Sequence, residues 1–326
     1  MTWPLGLGLV GCGRVAERFY GPAFGRLSEV TLTAVTDPRP DRAALLAAGI
    51  PGCAAVGSLD ALLDRDDVAG VILATPPATH LELAARILDA GKPVLVEKPL
   101  TSSTGAEAVD ALPASAHRSL MMGFNRRFWE PARRLRSMLS EDGPVEGSAA
   151  RLILTTDVAG WDALVVADDP LDDLASHQLD LLRYLFDGAI VAVSARWTDR
   201  ASLEMRVRLA TGVSADTVAA HGRVSQESVT VDRGGKRYRA RMGSERLDPA
   251  DGWVRWLLDG SDGVRRRLGR GSSSLRRSFD QELIAFAGHV RDQTPPRPGL
   301  ADGIAVWRAA VAARQSAAQG GAEVQV

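Results

Sequence analysis

From Leu5 to about residue 120, short apolar runs alternate with longer stretches of helical periodicity, the pattern of βαβ units around a parallel sheet. Leu5 to Val10 reads as a first strand, followed by Gly11-Cys12-Gly13-Arg14-Val15-Ala16 and a helix. Val30 to Thr36 reads as a second strand, closing at Asp37. Helices are predicted at Pro40 to Ala48 and near Leu59 to Leu63, and strands at Val68 to Ala74 and Pro93 to Val96. Between those two strands, Thr79 and Glu82 have capping-box spacing. Leu81, Leu83, Ala84, Ile87 and Leu88 give that helix its apolar face, and Gly91 can end it.

After Met121-Met122-Gly123-Phe124-Asn125 the rhythm changes to strand-like runs at Ser148 to Thr155, Val191 to Trp197, Leu203 to Leu209, Ser214 to Ala220 and Glu227 to Val231. Helices return at Phe279 to Arg291 and Asp302 to Ala318. The expectation is an α/β protein in two parts. Residues 1–121 form a doubly wound parallel sheet that binds a dinucleotide; residues 122–326 form a second α/β domain with a large, mainly antiparallel open sheet for substrate binding and oligomerisation. The Gly, Ser and Arg-rich stretch from Arg233 to Arg277, with Arg265-Arg266-Arg267 and Arg270, reads as a solvated loop with a short helix around Trp253 to Leu258. A site for an anionic substrate group is the alternative.

Composition narrows the classes. The chain has 326 residues, 45% hydrophobic and 24% charged, enough to bury a core; 39 basic against 40 acidic residues leave a net charge of -1. No whole-chain basic field draws it to nucleic acid or to an anionic membrane. Cys12 and Cys53 are too few for a disulfide framework or a thiolate metal site, and no run of about 18 apolar residues occurs. A cytoplasmic location is expected. Only three basic residues are lysines, Lys92, Lys98 and Lys236, which makes a well-placed lysine conspicuous.

Gly11-x-Gly13-x-x-Ala16 follows a predicted strand and opens a helix, the context in which such a turn cradles a pyrophosphate. Gly11 permits the tight turn, Gly13 the close approach of backbone, and Arg14 and Val15 begin a helix whose free N–H groups face the phosphates. Asp37, 24 positions after Gly13, is placed to accept hydrogen bonds from an adenosine ribose. This favours NAD, while Arg39 and Arg42 nearby leave NADP open. Glu97-Lys98-Pro99 ends a strand at the edge where open α/β sheets bind ligands, and a lysine there can stabilise a developing alkoxide. Further on, Asp173, His177, Asp180 and Tyr184 share one helical face. His177 suits proton transfer, with Asp173 or Asp180 holding its tautomer. His80 can face the cofactor; His117, His221 and His289 read as surface or core histidines. No metal site is expected.

With these motifs in this order, the chain resembles the glucose-fructose oxidoreductase / inositol dehydrogenase / MocA-like family of NAD(P)-dependent oxidoreductases. The resemblance rests on Val10 to Ala16, Ala74-Thr75-Pro76-Pro77-Ala78-Thr79-His80, Glu97-Lys98-Pro99, Gly123-Phe124-Asn125-Arg126-Arg127-Phe128, and Asp173-Leu174-Ala175-Ser176-His177-x-x-Asp180. It implies that Lys98, Asp173 and His177 are catalytic and that Thr75, Pro76, His80 and Glu97 line the cofactor. It also implies hydride transfer between nicotinamide and a secondary alcohol or ketone of a sugar, cyclitol or nucleotide-linked sugar, in a homodimer or homotetramer. A non-catalytic NAD(P)-binding sensor, or an enzyme using tightly held NAD without net redox, are the alternatives. The chain departs from many members at Trp161-Asp162 and Asp168-Asp169, where a Trp-Arg pair and a Gly-Gly run are common.

Overall fold

The computed structural model describes residues 4–103, 109, 112–158, 169–241, 247–249 and 273–326; for 247–249 and 273 it describes the backbone alone. The stretch around Arg265, the helix expected at Trp253 to Leu258, and Trp161, Asp162 and Asp168 lie outside the described residues.

The chain divides into two compact units: Met1–Asn125 with Phe279–Ile304, and Arg126–Ser278 with Ala305–Val326. Against a single expected boundary at 121/122, the division falls four residues later, and a later segment returns to the first unit. The return has a packing reason. Phe279 stacks on Phe19 at 4.5 Å and meets the Tyr20 ring edge-on at 5.4 Å. Met121 also pairs with Gly299 as an antiparallel bridge.

The first unit is built on six strands: β1 Leu5–Val10, β2 Val30–Thr36, β3 Ala54–Ala55, β4 Gly70–Leu73, β5 Val94–Glu97 and β6 Leu120–Gly123. Their order is β3-β2-β1-β4-β5-β6 and every pairing is parallel. The order reverses between β1 and β4, and the loops leaving the carboxyl ends of those strands form the crevice where such sheets take ligands. β4, β5 and β6 are buried along their whole length, as a sheet covered on both faces requires.

The second unit carries β7 Ala149–Asp157, β8 Ile190–Asp199, β9 Ser202–Leu209, β10 Ser214–Gly222, β11 Gln226–Arg233, β12 Lys236–Arg241, β13 Leu247–Pro249 and β14 Val324–Gln325. The order is β13-β12-β11-β7-β10-β9-β8-β14, antiparallel except for the parallel pair β7 and β10. β12 and β13 correct the expected loop after Arg233: their short, polar sequences hide strand periodicity, and pairing of β12 with β11 and of β13 with β12 supplies what local pattern does not. Along β9, Leu203, Met205, Val207 and Leu209 point into the core. Glu204, Arg206 and Arg208 face outward and pair with Arg196, Asp216 and Glu323. One face of this sheet is therefore apolar and packed, the other polar and charge-paired.

Among the described residues no helix is long and apolar enough to cross a membrane, and no group of three or more His, Cys, Asp or Glu is placed to hold a metal ion.

Candidate functional site

The turn after β1 takes the shape a dinucleotide needs. Gly11 has φ +92°, and a Cβ there would stand 2.4 Å from the carbonyl oxygen of Ala74. Only glycine fits. At Gly13 an added Cβ would meet nothing within 4 Å, so the turn presents bare backbone to open space. Arg14 and Val15, both half-buried, take the first helical positions, and Glu17 N–H closes onto Gly13 O at 2.9 Å.

Asp37 is tied to that turn. Its Oδ2 accepts from Cys12 N–H at 2.8 Å, and its Oδ1 from Arg39 N–H at 2.9 Å. Each carboxylate oxygen has two acceptor positions, so both retain one for a ribose hydroxyl. Arg39 Nε lies 3.9 Å from Oδ1. Burial, then the neighbouring Asp37 charge, push the Cys12 thiol up to about 12, so it stays protonated and unreactive. The residues present therefore fit an NAD pyrophosphate and its adenosine ribose.

The loops after β4 and β5 complete this edge of the sheet. The Thr79 hydroxyl lies 2.8 Å from Thr75 Oγ1 and 2.9 Å from Pro76 O. It turns back to the loop, and the expected capping box is not formed: no side-chain cap bond is made at the start of the His80–Asp89 helix. His80 is buried, with Nδ1 2.8 Å from Pro99 O and Nε2 2.8 Å from Thr75 O. Both ring nitrogens face carbonyl oxygens of the protein's own loops, and a neutral imidazole donates to one of them, so His80 sits between the Thr75 loop and the Lys98-Pro99 turn. Burial lowers its pKa, against the pull of the two carbonyls, and the Lys98 charge adds to the lowering.

Glu97 is likewise turned inward. Its Oε1 accepts from the Tyr20 hydroxyl at 2.7 Å and its Oε2 from Lys98 N–H at 3.2 Å. Lys98 is half-buried at the carboxyl end of β5, and the Lys98–Pro99 peptide is cis.

In the second unit, the segment expected as one helix begins with a π-helical turn, Leu171–Ala175, and continues as the α-helix Ser176–Phe186. His177 is buried and Asp173 half-buried, so this polar stripe is no solvated face. The carboxylates have other partners than expected. Asp180 receives Arg127 in a forked pair, Nε to Oδ2 at 2.9 Å and a terminal nitrogen to Oδ1 at 2.6 Å. Asp173 Oδ2 stands 3.0 Å from Nε2 of His221, on β10. Tyr184, fourth on the stripe, lies under the guanidinium groups of Arg127 and Arg136, at 5.5 and 4.4 Å from the ring centre.

Two residues at these sites, Tyr20 and Glu282, were not singled out in advance, while His221 was read only as a surface or core histidine and Arg127 was named only within the motif Gly123 to Phe128. A signal existed for Glu282, which falls on the apolar face of its helix with Phe279, Leu283 and Phe286; no short-range pattern marks Tyr20.

A parallel sheet of this order, with a bare-backbone glycine turn and an acidic residue closing the next strand, is the architecture of a dinucleotide-binding domain. Residues 5–124 match the model of the glucose-fructose oxidoreductase / inositol dehydrogenase / MocA family, described as an oxidoreductase family with an NAD-binding Rossmann fold. The inositol 2-dehydrogenase of Mycolicibacterium gilvum is 36% identical over 192 residues, 58% of this chain and 53% of the relative. At that level of identity the chain spans about half the length of the curated relatives it matches. The inositol 2-dehydrogenase of Leifsonia xyli is 27% identical over 311 residues, 89% of this chain and 86% of the relative. The solved scyllo-inositol dehydrogenase of Lactobacillus casei, with NAD(H) and scyllo-inositol bound, superposes with a TM-score of 0.80 at 18% identity, covering 98% of each chain. That likeness is one of fold.

Proposed function

We propose that the chain is an NAD(H)-dependent dehydrogenase or ketoreductase acting on a secondary alcohol of a cyclitol, sugar or nucleotide-linked sugar. The observation that carries the reading is the turn at Gly11 and Gly13 with the Asp37 carboxylate bonded to Cys12 N–H. It makes a pyrophosphate cradle with a negative edge that suits ribose hydroxyls and repels a 2'-phosphate. The relatives named inositol 2-dehydrogenase support the cyclitol end of the substrate range.

Gly11, Gly13, Arg14, Val15 and Asp37 would hold the dinucleotide, with Thr75 and Pro76 on the adjoining loop. NAD, when bound, supplies the hydride acceptor. In this reading Lys98 donates a hydrogen bond to the substrate oxygen and stabilises negative charge on it. His177 removes the hydroxyl proton in oxidation and returns it in reduction, and Asp173, held by His221, orients the substrate hydroxyl. Assembly as a homodimer or homotetramer belongs to the same reading, and light scattering on the purified protein tests it.

The activity test is the nicotinamide absorbance change over a panel of inositols, sugars and nucleotide-linked sugars. Turnover with one class supports the proposal. Bound NADH with no turnover across the panel would overturn it in favour of a nucleotide-binding sensor.

A further inference from the structure

Asp169, the second residue of the Asp168-Asp169 pair, opens the helical segment that carries Asp173 and His177. Its side chain holds that opening from two directions. Oδ1 accepts from Leu171 N–H at 3.1 Å and from Asp172 N–H at 3.2 Å, groups that the start of a helix leaves without intrahelical partners. Pro170 follows as the first helical residue, with no N–H to satisfy. Oδ2 pairs with a terminal nitrogen of Arg314, 2.9 Å away on the helix Leu300–Ala318. The same nitrogen lies 3.4 Å from Asp172 Oδ2. All of these residues belong to the second unit.

Charge makes the arrangement interdependent. Asp169 and Asp172 are three positions apart, and like charges so spaced at a helix surface repel. The Asp172 side chain is 8% exposed, so little water screens it. A guanidinium nitrogen between the two carboxylates offsets both effects. Asp173 comes next in the same π-helical turn, and its carboxylate meets His221 of β10 at 3.0 Å. Successive helical residues point roughly 100° apart, so Asp172 and Asp173 tie the turn in two directions, to the helix Leu300–Ala318 and to β10. A turn tied in one direction can rotate about its axis; a turn tied in two cannot.

We propose that Arg314, by bridging Asp169 and Asp172, sets the rotation of this π-helical turn and with it the direction of the Asp173 carboxylate. Arg314, Asp169 and Asp172 are positioning residues. Their role in turnover rests on the catalytic reading of Asp173 and His177; the bridging of the turn does not.

The test applies nuclear magnetic resonance and hydrogen exchange to the whole protein and to Arg314→Met and Asp169→Asn. Arg206→Met, which breaks the exposed pair with Asp216, is the control. The His221 ring signals, assigned from their loss in His221→Asn, are expected to move in Arg314→Met and Asp169→Asn and to stay in place in the control. A residue that only adds stability lowers the melting temperature and leaves the ring signals of the folded protein unmoved. Amide exchange at Asp172 and Asp173 is expected to quicken about tenfold in both variants, because the first turn opens more often. Asp169→Asn keeps an oxygen for the Leu171 and Asp172 N–H groups and loses the charge facing Arg314. It is expected to fold, and it carries the test if Arg314→Met does not. Unmoved His221 signals in a folded variant, or exchange no faster than in the control, overturn the proposal.

For the role in turnover, both variants are expected to lower kcat about tenfold with NADH affinity within about twofold, the effect of a reacting group turned from its place. Arg314→Lys returns a cation to the bridging point and is expected to recover most of the loss. An unchanged kcat beside moved His221 signals overturns the role in turnover. The resonance and exchange measurements need no turnover, so failure of the enzymatic reading is told apart from failure of the bridge.

Discussion

Removing the Arg127 side chain tests how the helix bearing His177 is held. Asp180, one turn beyond His177, is 1% exposed at its side chain, and Arg127 grips it at 2.6 and 2.9 Å. Arg127→Ala strips the guanidinium from a buried carboxylate. Breaking a buried pair from one side costs about 3–5 kcal/mol, because the remaining charge has lost its compensation. For a unit of this size each kcal/mol moves the melting temperature by roughly 2–4 °C, so the expected drop is roughly 6–20 °C. Two controls sharpen the result. Arg206→Ala, breaking the exposed pair with Asp216, is expected to leave the melting temperature nearly unmoved. The double variant Arg127→Met/Asp180→Leu removes both charges together and is expected to recover much of the loss. The assay is thermal unfolding followed by circular dichroism and by tryptophan fluorescence. A cost below about 1 kcal/mol for Arg127→Ala, or a double variant worse than the single one, would refute the reasoning.

Three further outcomes follow from the same geometry. Asp37→Ala removes the acceptor of Cys12 N–H and the charge facing a 2'-phosphate. It is expected to cut the NADH over NADPH affinity ratio by about tenfold, about 1.4 kcal/mol, read by calorimetric titration; an unchanged ratio rejects the ribose role. Lys98→Met is expected to lower kcat by about 10²- to 10³-fold with NADH affinity within about twofold, and full activity would remove Lys98 from the mechanism. Burial holds His289 below the ordinary histidine pKa. The unfolded chain therefore takes up that proton first, and the associated stability, full above about pH 6.5, is lost as pH falls through that value. Melting curves between about pH 5 and 8 check this: His289→Leu is expected to flatten the acid limb, and an unaltered limb counts against it.

What was legible in the sequence is what is decided locally. Gly11, Gly13 and Asp37 could be placed because a strand, a tight turn and the end of the next strand follow one another within a single βαβ unit. The helix around His177 was readable from its periodicity, which shows which residues share a face and is silent on what that face meets. Asp180 was a candidate partner of His177 until the fold set it against Arg127, 53 positions away, while His221 came to Asp173 from 48 positions away. Glu97 closes β5 and His80 opens the helix His80–Asp89, near where each was expected. Their polar atoms turn toward carbonyls, a phenol and a backbone N–H that only the assembled sheet brings near. The contact of Tyr20 with Glu282 spans 262 positions, beyond any local pattern. β12 and β13 escaped for the opposite reason: β12 is rich in charge and β13 is three residues long, and they form strands because β11 offers an edge to β12 and β12 one to β13.

The central claim is that the turn at Gly11 and Gly13 with Asp37 holds NAD, and calorimetric titration of cofactor-stripped protein with NADH and then NADPH tests it most directly. The account predicts saturable one-to-one binding of NADH and distinctly weaker binding of NADPH. Binding of neither nucleotide, or preference for NADPH, would contradict it.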